Sequence, residues 1–193
     1  MFYRKIEDKL KEYYNDVEAK IIVVNGARQI GKSFIIRETA KKHFLNYIEI
    51  NLKSDFDGDK IFEKVRKTKD FYLQLSALYG NNLGTLKDTI IFLDEIQVYP
   101  HLLTMLKDLK LENRYRYIAS GSLLGITLRH TFIPMGSINE IKMYPMDFEE
   151  FLYANNVGKD VVSYLKECFI NVESVSDGIH QVIIEKFKEY LIS

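Results

Sequence analysis

The stretch Val23–Ile36, VVNGARQIGKSFII, passes from an apolar run through Gly-x-x-x-x-Gly-Lys-Ser and back into apolar residues. The chain holds only 10 glycines, and two of them lie five positions apart in front of a lysine here. Residues 20–25, KIIVVN, form a short β-branched run that reads as a strand buried on both faces. From Ser33 to Phe44 the apolar spacing is helical. A strand, a glycine loop and a helix in that order build a cradle for phosphate. Gly26 and Gly31 let the backbone turn tightly and bring its N–H groups onto phosphate oxygens, and the helix starting near Lys32 adds its N-terminal dipole. The cradle is predicted to comprise Gly26, Ala27, Arg28, Gln29, Ile30, Gly31, Lys32, Ser33 and Phe34. Lys32 would bridge the β- and γ-phosphates as a point charge, and the Ser33 hydroxyl would ligate Mg²⁺. Arg28 either touches the nucleotide from outside the cradle or is simply solvated.

Outward from this loop, strand and helix patterns alternate. Residues 3–15 read as an amphipathic helix through Ile6, Leu10, Tyr13 and Tyr14. LNYIEINL (45–52) is a second strand, SDFDGD (54–59) a polar loop, and residues 59–67 and 69–79 are expected to be helices. DTIIFLDEIQ (88–97) is the strongest strand signal, and Pro100 opens a helix that runs to about Leu111. YRYIAS (115–120) and INEIKMYP (138–145) are strands flanking a short helix at 122–130. Three helices follow, the first placing Phe148 and Phe151 on one face. The alternation implies right-handed crossovers and an α/β fold in three layers, with a parallel central sheet of about five strands. Residues 1–146 are assigned to that domain and residues 147–193 to a small C-terminal helical subdomain.

Ligands in such folds bind where strand ends run into loops. IIFLDE, Ile90 to Glu95, is the second such place. Four apolar residues hold the strand in the core and deliver Asp94 at its tip, where a carboxylate orders the Mg²⁺ water shell. Glu95 beside it is placed to polarise a water for attack on the γ-phosphate. Two solvated acids at a strand end are the ordinary alternative. A third element is required between these strands to read the γ-phosphate, and YIASGSLLG offers Ser120, Gly121 and Ser122 after an apolar run. Ser120 is the preferred hydroxyl for the attacking water or a γ-phosphate oxygen.

Composition narrows the partners. Among 193 residues, Lys plus Arg equals Asp plus Glu at 27 each, so net charge argues for no polyanionic partner, nucleic acid included. A hydrophobic fraction of 47% supports a substantial core. Cys168 is the single cysteine, which excludes an intrachain disulfide, makes a reducing cytoplasmic setting the default, and reads as core in its apolar helix. No apolar run approaches the roughly 20 residues that cross a bilayer. The four histidines, His43, His101, His130 and His180, lack metal-ligand spacing.

NGARQIGKS, FLDEIQVYPHLLTMLKDL, ASGSLLG and MYPMDFEEFLYANN, in this order, resemble a bacterial and archaeal family of AAA-superfamily ATP-binding proteins. The likeness spans roughly Arg4 to Asp160, and its Pro-Met-Asp-Phe-Glu-Glu-Phe-Leu stretch is more specific than the glycine loop. It implies ATP and Mg²⁺ as ligands, nucleotide roles for Lys32, Ser33, Asp94 and Glu95, and a place for Gln97 in an Asp-Glu-Ile-Gln signature. It also implies a further C-terminal domain, of unknown function and related to restriction-endonuclease folds, beyond the helical subdomain. Relatives often carry Gly-Arg or Gly-Lys where this chain has Gly136-Ser137; the resemblance implies a homo-oligomer joined at the nucleotide, with Arg129, shortly before the fifth strand, as the candidate substitute for its arginine finger. Adenine specificity rests on the resemblance alone.

The expected activity is slow Mg²⁺-dependent ATP hydrolysis with an unknown target and an unknown protein partner. A nucleotide-binding switch with little hydrolysis is the alternative. A small-molecule kinase is disfavoured, since residues 129–193 contain Arg129 and no other arginine for a mobile lid.

Overall fold

The computed structural model describes residues 2–122 and 138–192. Five segments form the strands of one sheet: β1 (Ile21–Asn25), β2 (Asn46–Asn51), β3 (Thr89–Asp94), β4 (Arg116–Gly121) and β5 (Ile138–Lys142). Every pairing is parallel, in the order β2-β3-β4-β1-β5. β1 and β3 carry unbroken apolar runs because their alternate side chains enter different cores. Ile21, Val23, Ile91, Leu93 and Ala119 point to one face, and Ile22, Val24, Ile90, Phe92 and Ile118 to the other.

Helices cover both faces. α1 (Ile6–Asn15) and α2 (Lys32–His43) seal the second core with Leu10, Tyr13, Tyr14, Ile35 and Ile36. α3 (Leu52–Asp57), α4 (Thr68–Tyr79) and α5 (Pro100–Glu112) seal the first with Leu52, Phe71, Leu75, Leu103 and Leu106. This is the expected three-layer α/β fold. Ile90, Ile91, Phe92 and Leu93 are all at 0% exposure, and full burial of side chains of this size stabilises by about 1.5–3 kcal/mol each. β3 is thereby a rigid stem for the acids at its tip.

One region departs from the sequence pattern. Residues 54–59, expected as a loop, lie largely in α3, whose first turn is capped by the Asn51 side chain accepting from Ser54 N at 2.8 Å. Residues 59–67, expected as a helix, form turns instead. There the Asp55 carboxylate accepts from the backbone N–H groups of Ile61 (2.9 Å) and Phe62 (3.2 Å) and from the Tyr99 hydroxyl (2.8 Å). Lys60 sits in the left-handed region at φ 54°.

The chain divides into two compact units, Ile6–Tyr144 and Met1–Lys5 with Pro145–Ser193. The second contains α6 (Phe148–Ala154), α7 (Lys159–Asn171) and α8 (Asp177–Leu191). α6 opens with a capping box: Asp147 Oδ1 accepts from Glu150 N at 2.8 Å, and Glu150 Oε2 accepts from Asp147 N at 3.1 Å. Phe148 and Phe151 do share a face, stacking at 6.4 Å, and close on Phe187 and Tyr190 of α8. Cys168 is buried in α7. No helix among the described residues is long and apolar enough to cross a membrane.

Candidate functional site

The parallel sheet aims the C-terminal ends of β1, β4 and β3 in one direction, as neighbours. Asn25 pairs with Gly121, and Leu93 with Ala119, so the loop after β1, the Ser-Gly-Ser turn after β4 and Asp94-Glu95 after β3 come together.

The loop after β1 is shaped by its glycines for two different reasons. A Cβ on Gly26 would lie 2.4 Å from the Met143 carbonyl oxygen and 2.7 Å from Ile30 Cδ1, so no side chain fits there. Gly31 stands in open space but at φ 92°, a left-handed conformation that glycine adopts freely. Gly31 is also the N-cap of α2 and provides no side-chain cap, leaving the first-turn N–H groups of that helix for a ligand. Gln29 is left-handed as well, at φ 63°. Ala27, Arg28, Gln29 and Phe34 are exposed on the outside of the loop, while Ile30 turns partly inward.

Lys32 occupies the centre. It is only 5% exposed, and its ammonium donates to the carbonyls of Gly26 (3.0 Å) and Ala27 (2.6 Å). Burial lowers its pKa below the usual lysine value, opposed by the nearby charges of Glu95 and Asp94, and Arg28 lowers it further. A partly desolvated cation beside a loop that excludes side chains is suited to a phosphate, whose charge would offset the burial penalty.

Ser33, one residue on, faces the second strand tip. Its hydroxyl donates to Asp94 Oδ2 at 2.8 Å. The other carboxylate oxygen, Oδ1, accepts from Glu95 N at 3.1 Å and from the Ser120 hydroxyl. A hydroxyl and a carboxylate held together at a strand tip are hard oxygen donors of the type Mg²⁺ takes.

Ser120 differs from the sequence expectation. It is fully buried, and its hydroxyl is committed to Asp94, so it orients that carboxylate instead of being presented to a γ-phosphate oxygen or a water. The cause is register: Leu93 opposes Ala119, which sets the next residues of β3 and β4, Asp94 and Ser120, side by side. Ser122, two residues further and also buried at 3% exposure, is the hydroxyl that reaches Glu95, 3.5 Å from its Oε2.

Glu95 follows Asp94 at φ 57° and ψ 44°, a left-handed conformation unusual for a side chain larger than asparagine. Its Oε2 accepts from the Gln97 amide nitrogen, and the Gln97 amide oxygen accepts from Ser122 N at 3.2 Å. The family resemblance gave Gln97 a place but no contact, because its partner Ser122 lies 25 residues away and meets it only through strand pairing. Arg129 and Ser137 lie outside the described residues, so the expected arginine finger has no position here.

A family model described as an AAA domain matches residues 18–152, well over half of the chain. The chain belongs to the AAA domain family. No curated protein matches it. Within this AAA-type, nucleotide-binding ATPase domain, the matched segment contains the glycine loop, both strand-tip acids and the β4 turn.

Proposed function

We propose that the chain binds ATP with Mg²⁺ through Gly26–Phe34 and hydrolyses it slowly, in a cytoplasmic setting. The observation that supports this most is the 2.8 Å bond between the Ser33 hydroxyl and Asp94. It joins the helix that ends the phosphate cradle to the strand that carries the acids.

The glycine loop and the α2 N-terminus hold the β- and γ-phosphates, and Lys32 exchanges its two loop carbonyls for phosphate oxygens. Ser33 and Asp94 would hold Mg²⁺, which would supply charge neutralisation at the phosphate oxygens. Ser120, through its bond to Asp94, keeps that carboxylate turned toward Ser33. Glu95 accepts a proton from water as the water oxygen bonds to the γ-phosphorus and the bridging oxygen departs with ADP. The products are ADP and inorganic phosphate, and Glu95 returns the proton to solvent.

Glu95→Gln tests the catalytic half. The amide keeps the shape and cannot take the proton, so turnover should fall by about 10²–10⁴, the range for losing a positioned base. Binding of Mg·ATP should persist. Wild-type turnover in Glu95→Gln would show that another group is the base, and absence of turnover in both would leave a nucleotide-binding switch.

A further inference from the structure

We propose that Gln97 is the positioning residue for Glu95, clamping its carboxylate between the turn after β3 and the tip of β4. The proposal rests on the reading of Glu95 as the base.

Glu95 needs such a clamp. Its left-handed backbone, at φ 57°, is disfavoured for residues other than glycine. Such a conformation persists only where surrounding structure enforces it. The enforcement is local. Ile96–Val98 forms a single 3₁₀ turn, with Val98 N bonded to Glu95 O and Tyr99 N to Ile96 O, both at 3.1 Å. Ile96 and Tyr99 anchor that turn in the first core at 0% and 3% exposure.

Gln97 projects from this anchored turn, and its amide has one consistent orientation. The oxygen must face the Ser122 N–H, 3.2 Å away, so the NH₂ faces Glu95 Oε2. The reverse orientation would set two oxygens against each other at Glu95 and two N–H donors together at Ser122. Ser122 Oγ lies 3.4 Å from the same amide nitrogen and 3.5 Å from Glu95 Oε2, which closes the group into a ring of polar contacts. Because Glu95 and Gln97 are two residues apart on one anchored turn, the clamp is a fixed brace. Only Oε2 takes part, which leaves Oε1 to receive the proton.

Gln97→Met keeps the length of the side chain and removes both hydrogen bonds, whereas Gln97→Glu keeps the acceptor for Ser122 N and sets a second carboxylate against Glu95. Single-turnover hydrolysis of radiolabelled Mg·ATP should fall at least tenfold in Gln97→Met and further in Gln97→Glu, while Kd for Mg·ATP stays within about twofold. In a Glu95→Gln background neither change should lower the residual rate further, because residues that act as one unit are non-additive. A ligand-free crystal structure of Gln97→Met should show the Glu95 carboxylate displaced from Ser122. The proposal is overturned if Gln97→Met turns over at the wild-type rate. It is equally overturned if the loss persists undiminished in the Glu95→Gln background, or if Glu95 keeps its position in the crystal. Absence of wild-type turnover would overturn the reading of Glu95 as a base first, and this proposal with it.

Discussion

Gly26→Ala and Gly31→Ala should damage the same loop to different degrees, for reasons already visible in the backbone. At Gly26 the new Cβ would meet the Met143 carbonyl oxygen at 2.4 Å. The second obstacle, Ile30 Cδ1 at 2.7 Å, is the end of a flexible side chain and can rotate away. The carbonyl cannot do so, because Met143 N is bonded to Asn25 O at 2.8 Å and Asn25 pairs with Lys142 across β1 and β5. Relief therefore requires the ends of two paired strands to part. Forced overpacking costs about 1–3 kcal/mol, and an immovable backbone atom places this site at the upper end. Replacing glycine by alanine also restricts the unfolded chain, which returns about 0.4–1 kcal/mol. The net loss is about 2 kcal/mol, or about 4–8 °C in melting temperature for a chain of this length. Gly31→Ala meets nothing within 4 Å and suffers only its φ of 92°. Strain of about 1–2 kcal/mol, less the same unfolded-state gain, leaves a drop of about 1–4 °C. Scanning calorimetry of the ligand-free proteins measures both. A Gly26→Ala protein that melts within 1 °C of wild type, or below which Gly31→Ala falls, would refute the assignment of steric crowding to one glycine and conformation to the other.

Asp94→Asn should keep the fold and weaken the Mg²⁺ dependence of nucleotide binding, and Ser120→Ala should do the same more mildly by freeing Asp94 to turn. Titration of nucleotide with and without Mg²⁺ reads both, and equal Mg²⁺ dependence in all three proteins would contradict the oxygen-donor reading. In the helical unit, hydrogen bonds from Lys166 and Lys5, each with Nζ at 2.8 Å, hold Glu149 down from 4.5 to about 2. A depressed carboxylate contributes its stability fully above its unfolded pKa and loses it as pH falls through the folded one, so this contribution fades between about pH 4.5 and 2. Urea midpoints measured from pH 5 to pH 3 should therefore fall less steeply in the Lys5→Met, Lys166→Met double variant than in wild type, and identical slopes would refute the ion-pair origin.

Much of the sheet was legible because β1 and β3 are buried on both faces, and an unbroken apolar run admits few other readings. The region from 54 to 67 was not, since its turns are organised by side-chain contacts distant in sequence. Asp55 gathers two backbone N–H groups and the Tyr99 hydroxyl, whereas Ile61, Phe62 and Val65 mimic helical spacing by chance. α3 buries only Leu52 and so shows no periodicity. The glycine loop and the two acids could be read from residue type and spacing. The difference between Ser120 and Ser122 could not, because it depends on which residue of β4 stands beside Asp94. The same pairing places Gln97 against Ser122.

The central claim, that Gly26–Phe34 is a nucleotide-phosphate cradle built around Lys32, is tested most directly by thermal melting with millimolar Mg·ATP. Ligand at about 100 times Kd stabilises by roughly 2.7 kcal/mol, which for a chain of this length corresponds to about 5–10 °C. The account predicts that rise for wild type and none for Lys32→Ala. An unchanged wild-type melting curve, or an equal rise in Lys32→Ala, would contradict it.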